Sequence, residues 1–167
     1  VYQLSQVTAE HLYFRLDSEH CQKIYIENLE KIRSFGGGCV KLGDELQELT
    51  GGATPLGADY PDSGIRFLRV QNIMPNVIDD GDMTYISEQD DKNLSRSRLQ
   101  VDDVLLTITG VSYGKAAVVM PEFAGANINQ HSVRMKLAQT SFIRPLFLST
   151  FLNAEPGKLQ SDQNITG

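Results

Sequence analysis

The stretch Leu99–Lys115, LQVDDVLLTITGVSYGK, contains the pattern that decides the fold. Residues Val104–Thr109 are apolar or β-branched in alternation, which favours a strand that is buried on both faces. The preceding pair Asp102-Asp103 is polar and favours a turn, and Gly110 allows the chain to turn sharply afterwards. The sequence KAAVVM then predicts a returning strand. We therefore expect a central strand that holds a short loop rigidly at its end.

That loop carries side chains suited to polar or anionic partners. Ser112 offers a hydroxyl, Tyr113 an aromatic donor and Lys115 a cation. A nucleotide-binding P-loop needs four residues between its glycines and a hydroxyl residue after the lysine. Here three residues separate Gly110 from Gly114, and an alanine follows the lysine. The loop is therefore a candidate binding loop without the triphosphate motif.

The rest of the chain alternates short strand and helix patterns. Before the central strand we expect a helix capped by Ser18 and ended by Gly36, a strand over Ile65–Ile73, a turn over Asn76–Asp82 and a short helix from Ser87 to Asn93. After the central strand we expect a strand with Val133, Met135 and Leu137 on one face and Arg134 and Lys136 on a basic outer face. A mostly buried helix is expected to start at Ser141.

Composition indicates one domain of a cytosolic protein. The chain has 167 residues, 41% of them hydrophobic, which suffices for a proper core. Two cysteines without a CxxC pair predict reduced thiols, and no apolar run is long enough to span a bilayer. The formal charge of -6 disfavours a polyanion-binding surface over the whole molecule but allows a local basic patch. We expect cytoplasmic localisation and no membrane contact.

Catalytic motifs are sparse. Asp62, Asp90 and Lys92 resemble the scattered acids and lysine of metal-dependent nucleases, in which carboxylates converge on a cation. The pattern is permissive, and the histidines are dispersed, so we expect no metal site. No nucleophile motif is present. A metal-dependent nuclease stays open as an alternative.

Cations gather on or beside the predicted sheet, which allows a basic face for nucleic acid. The residues are Arg66, Arg69, Arg96, Arg98, Lys115, Arg134 and Lys136. A set of separate, solvated cations is an equally good interpretation of the same pattern.

A series of short motifs resembles the target recognition domain of the specificity subunits of type I restriction-modification systems. The series runs from about Lys41 to Gly167, and its order makes it specific. Its members are Leu42-Gly43-Asp44, Thr50 to Pro55, Gly64 to Phe67, Tyr85-Ile86-Ser87, Leu99 to Thr107, Gly110, Gly114-Lys115, Ala126 to Gln130, and the helix Phe147 to Asn153.

This resemblance implies an α+β fold: one target-recognition domain with a twisted, mostly antiparallel β-sheet, an N-terminal helix and C-terminal helices. Residues 1–38 would be a lead-in and amphipathic helix. Residues 39–167 would be the recognition domain, truncated before a spacer helix. Such a domain reads one half of a bipartite DNA target and does no chemistry itself.

The resemblance also implies partners. These are double-stranded DNA, an adenine-N6 methyltransferase subunit or fused domain, and a restriction nuclease subunit. The lead-in Phe14 to Asp17 resembles the junction of a fused methylase, yet no Asn-Pro-Pro-Tyr-like motif occurs. We therefore expect no cofactor in this chain and S-adenosylmethionine on the partner. A domain that only docks a methylase subunit is a third hypothesis.

DNA readers use cations and hydroxyls for phosphates, and amides or guanidinium groups for base edges. The phosphate candidates are Arg96, Arg98, Ser112, Tyr113 and Lys115, and the base-reading candidates are Arg66, Arg69, Asn72, Asn129, Gln130 and His131. For Asn129 and Gln130 we favour a structural role over readout, because buried amides commonly satisfy loop backbones.

Overall fold

The computed structural model describes residues 20–55, 57 and 60–163. Among these, residues 41–153 form one compact unit, and residues 20–40 with 154–163 form a second. The predicted division between residues 38 and 39 stays a prediction.

The larger unit is built from short strands and helices. Its strands are β1 (Leu46–Gly51), β2 (Ile65–Leu68), β3 (Ile73–Met74), β4 (Val77–Ile78), β5 (Thr84–Ile86), β6 (Val104–Thr107), β7 (Ala116–Val118), β8 (Asn127–Ile128) and β9 (Ser132–Leu137). Its helices are α2 (Leu42–Glu45), α3 (Glu88–Asn93) and α4 (Pro145–Asn153), with 3-10 turns at Val70–Asn72, Ser95–Ser97 and Pro121–Phe123.

The predicted α+β class is confirmed. In the described residues the strands form three sheets, in the orders β1-β9-β6-β7, β5-β2-β8 and β3-β4, rather than one. All strand pairs are antiparallel except the parallel pair β2 and β8.

The central strand is confirmed. Strand β6 lies between β9 and β7 and pairs with both in antiparallel register. Asp102 makes the turn before β6 with a φ of 70°, and Gly110 turns the chain after it with a φ of 77°. The returning strand β7 follows as predicted, so the loop Gly110–Gly114 is anchored at both ends.

Both faces of the four-stranded sheet are packed. On one face, Val104 and Met135 cluster with Leu148 and Leu152 of α4. On the other, Leu105 clusters with apolar residues of the two smaller sheets. Burial of both faces explains why β6 carries almost no polar residue.

Three of the predicted elements differ from the structure. The helix predicted to start at Ser141 begins at Pro145, because the Ser141 hydroxyl bonds Glu45 and Ile143 N in a turn before it. This helix was predicted to be mostly buried, but Phe142, Leu146 and Phe147 are exposed.

The strand predicted over Ile65–Ile73 stops at Leu68, because a 3-10 turn at Val70–Asn72 interrupts it. The turn predicted over Asn76–Asp82 contains strand β4, which pairs with β3. Asn76 has a φ of 65° and makes the tight turn of this hairpin. The helix cap at Ser87 is confirmed, since its hydroxyl oxygen accepts from Asp90 N at 3.0 Å.

The smaller unit contains α1 (Lys23–Arg33) and α5 (Glu155–Gln163). Asn28 Nδ2 donates to the Pro156 carbonyl at 3.0 Å, and Gln163 Nε2 donates to the His20 carbonyl at 3.0 Å. The predicted cap Ser18 lies outside the described residues. Among the helices that the structure describes, none is long and apolar enough to cross a membrane.

Candidate nucleic-acid interface

A shallow concavity of about 320 Å³ lies where the 3-10 turn Ser95–Ser97 meets the four-stranded sheet. Its lining is mostly polar and charged, with three arginines and one carboxylate. The lining residues are Glu48, Ser95, Arg96, Arg98, Leu99, Gln100 and Arg134. The concavity brings together two of the predicted phosphate contacts, Arg96 and Arg98.

Arg134 is the floor of this site, and its predicted outward orientation is wrong. The residue is only 3% exposed, and its guanidinium donates to Asp103 Oδ2 at 3.2 Å and to Glu48 Oε1. Burial raises the pKa of Asp103, although the Gln100 N–H and Arg134 both favour its ionised form. The hydroxyl of Thr50 lowers the pKa of Glu48, and Arg134 lowers it further. Two carboxylates therefore neutralise this arginine internally.

Arg98 is also engaged. Its guanidinium forms a bidentate pair with Asp91, whose Oδ1 additionally accepts from Asn127 Nδ2 at 2.7 Å. The hydrogen bonds to Asp91 raise the pKa of Arg98. Ser97 Oγ donates to the Asn127 amide oxygen at 2.7 Å. This network fixes the 3-10 turn against β8.

Arg96 is different from its neighbours. Its side chain is exposed, and it makes no hydrogen bond or ion pair with any residue that the structure describes, whereas its carbonyl accepts from Arg134. Nearby, Lys136 donates to Gln100 Oε1 at 2.7 Å, and its charge favours the ionised forms of Glu48 and Asp103. Arg96 is therefore the uncompensated cation at this face among the described residues, and it favours an anionic ligand.

A second group of predicted residues meets where β6 ends and β9 begins. His131 Nδ1 lies 2.6 Å from Thr109 Oγ1, and its Nε2 lies 3.2 Å from Gln130 Nε2. Thr54 Oγ1 donates to the oxygen of the same amide. Asn129 is buried, and its oxygen accepts from His131 N at 3.3 Å. The adjacent amides therefore differ, since Asn129 is buried and Gln130 is exposed.

The loop Gly110–Gly114 adjoins this group. Ser112 is buried, Tyr113 is half-buried, and Lys115 Nζ lies 3.5 Å from Met74 Sδ. The phosphate contacts predicted for these three residues stay predictions. The Met74 thioether is a weak hydrogen-bond acceptor, so the Lys115 ammonium has no strong partner among the described residues.

The remaining candidates lie away from the concavity. Arg66 lies over the Phe123 ring at 5.7 Å and donates to the Glu122 carbonyl. Arg69 forms an ion pair of 2.9 Å with Asp82. Asn72 is buried, and its amide bonds Arg69 N, Asp79 O and Asp82 O. Its amide is used within the loop, and the base-reading roles of these residues stay predictions.

The nuclease candidates lie in different elements, with Asp62 in the loop before β2 and Asp90 and Lys92 in α3. Asp62 is exposed, and Asp90 Oδ2 accepts from Ser87 Oγ at 2.7 Å at the start of α3. No group of three or more metal-ligating acids, histidines or cysteines occurs in the described part of the chain.

No family model and no curated protein matches this chain, but solved structures do. The HsdS subunit from Thermoanaerobacter tengcongensis aligns with 85% of this chain at a TM-score of 0.53 and 13% identity. The chain shares the HsdS fold. A second structure, on complex assembly and conformational transition of the type I R-M system, aligns with 81% at a TM-score of 0.55 and 13% identity.

The chain spans only part of these neighbours. It covers 37% of the HsdS subunit and 33% of the second chain. At 13% identity the comparison establishes the HsdS-like fold and not the activity of the whole subunit.

Sequence reasoning missed several residues of both groups. The sequence patterns predict neither Glu48 at the concavity nor Asp103 beside Arg134, and they predict neither Thr54 beside Gln130 nor Thr109 beside His131. A charged residue inside an otherwise apolar strand, such as Arg134, was the available signal, because a buried cation requires carboxylate partners.

Proposed function

We propose that this chain is a sequence-specific DNA-binding module of a restriction-modification system, which reads one half of a bipartite DNA target. The observation that carries the proposal is the fold shared with HsdS over most of the chain. The exposed cation Arg96 supports it, because phosphate contacts need exposed positive charge.

In this proposal the chain is not an enzyme. It holds an adenine-N6 methyltransferase subunit or domain, and a restriction nuclease subunit, at the DNA site that it recognises. S-adenosylmethionine binds to the methyltransferase, and the complex works in the cytoplasm. Phosphates contact Arg96, and base edges contact the loops where β6 ends and β9 begins.

An exposed apolar surface supports the methyltransferase partner. Phe142 is 92% exposed, Leu146 63% and Phe147 62%, all at or before the first turns of α4. Exposed apolar groups of this size often mark protein contacts. A domain that only docks a methylase subunit would use the same surface, and it would bind that subunit without binding DNA.

The test is fluorescence anisotropy of the full chain with a labelled random duplex pool at falling salt concentration. We expect binding that weakens steeply with salt and no change in duplex length when Mg²⁺ is added. Absence of duplex binding at low salt would contradict the proposal and favour a docking domain. Cleavage that requires Mg²⁺ would favour the nuclease alternative.

A further inference from the structure

Val111 stands out on the loop between β6 and β7. Its side chain is fully exposed, at 105% of the reference area, although the flanking Ser112 is buried. Single exposed valines are common on protein surfaces.

The loop is held from inside by Thr107. The Thr107 hydroxyl donates to the Ser112 carbonyl and accepts from Lys115 N at 3.0 Å. The Thr107 carbonyl accepts from Gly114 N at 2.9 Å, and Tyr113 N donates to the Gly110 carbonyl at 3.0 Å. These bonds cross the base of the loop, so Val111 projects from a fixed backbone.

The loop is also held from the side. Ile108 N donates to the His131 carbonyl at 2.9 Å, and the Thr109 hydroxyl contacts the His131 ring at 2.6 Å. The ring in turn contacts the Gln130 amide, which Thr54 holds from the opposite side. The loop therefore carries an apolar side chain two residues after Thr109, whose hydroxyl begins this series of contacts.

We propose that Val111 is a specificity-determining residue that contacts the C5-methyl group of a pyrimidine in the major groove. This inference rests on the proposed function. The methyl group is the apolar feature that a major groove offers, and apolar side chains recognise it by contact. Thr109, Gln130 and His131 are positioning residues that hold the loop.

Thymine and 5-methylcytosine offer the same methyl group, and the experiment distinguishes them. The full chain first selects duplexes from a random library. In the enriched duplex each thymine is then replaced by deoxyuridine, and each cytosine by 5-methylcytosine, one position at a time. Affinities are measured for the wild type, for Val111→Ala, and for the control Val101→Ala, which changes an exposed valine before β6.

We expect one position at which removal of the methyl group weakens wild-type binding by about threefold to fivefold, the effect of one buried methyl group. Val111→Ala should lose this discrimination, and Val101→Ala should keep it. A gain of similar size on cytosine methylation, again lost in Val111→Ala, would identify 5-methylcytosine as the ligand. If Val111→Ala discriminates methylated from unmethylated bases as the wild type does, the inference fails while the proposed function stands.

The positioning residues have their own measurement. Thr109→Val should lower the thymine-to-uracil affinity ratio towards that of Val111→Ala, with an unchanged melting temperature. An unchanged ratio would contradict the positioning role. If the wild type enriches no duplex sequence, the proposed function itself fails and this inference fails with it.

Discussion

The Arg134 guanidinium and the Asp103 carboxylate form an ion pair in which the two side chains are only 4% and 1% exposed, with 3.2 Å between Nη1 and Oδ2. Two desolvated charges of opposite sign at this distance are stable only together. The pair joins β9 to the turn before β6, and the Arg134 guanidinium also bonds the carbonyl of Arg96. A buried structural pair thus supports the exposed cation of the candidate interface.

Arg134→Met should destabilise the chain strongly. It leaves Asp103 buried without its cation, and such losses cost about 3–5 kcal/mol. The double variant Arg134→Met with Asp103→Asn should recover most of this, because it removes the unpaired charge and keeps an oxygen for the Gln100 N–H. Urea denaturation measures both. If the free energy of unfolding of Arg134→Met lies within about 1 kcal/mol of the wild-type value, the ion pair is not critical for stability.

Asn72→Ala should reduce the free energy of unfolding by about 1–3 kcal/mol, since the Arg69 N–H and the Asp79 carbonyl lose the amide as partner and the Asp82 carbonyl keeps only the Arg69 guanidinium. The neighbouring Gln71 is exposed and bonds the Asp82 carboxylate at 2.6 Å. Gln71→Ala is the matched control and should change stability by less than about 0.5 kcal/mol. Equal effects of the two alanine variants would show that the Asn72 amide does not hold this loop.

Stability should depend on Glu48 at acid pH. The folded-state pKa of Glu48 lies below its usual value of 4.5, so its contribution is complete above that value and is lost as the pH falls through the lowered pKa. The side chain is 42% exposed, and we expect the effect to stay below about 1 kcal/mol. Thermal melts of Glu48→Gln between pH 3 and 7 should show a shallower acid decline than the wild type. A steeper acid decline in Glu48→Gln than in the wild type would contradict a lowered pKa of Glu48 in the folded state.

Arg96→Ala should weaken duplex binding and reduce the salt slope by about 1, because one phosphate contact is lost. The matched control is Arg144→Ala, which removes an exposed arginine beside Ile143, a residue packed on the opposite face of the four-stranded sheet. Binding isotherms at several salt concentrations separate the two. If the salt dependence of binding has the same slope in both variants, Arg96 does not contact a phosphate.

The central strand and the α3 cap could be predicted because their signals are local. Alternating apolar residues over Val104–Thr107 require burial on both faces, and Ser87 caps its helix through a residue three positions away. The HsdS-like fold followed from the order of several such motifs rather than from any one of them.

The electrostatics of the site could not be predicted in the same way. Alternation in β9 places Arg134 and Lys136 on one face, but the carboxylates that neutralise Arg134 are 31 and 86 residues away in sequence. Arg98 pairs with Asp91 across the 3-10 turn Ser95–Ser97. The sequence shows which strands and loops carry cations. Only the tertiary contacts show which cations are paired with carboxylates and which can contact an anionic ligand.

The central claim is sequence-specific reading of a DNA duplex, and selection of bound duplexes from a random library by the full chain tests it most directly. We predict enrichment of one short sequence, with affinity for it at least about tenfold above that for a scrambled duplex at the same salt concentration. Equal affinity for the enriched and scrambled duplexes, or no enrichment after repeated rounds, would contradict the account.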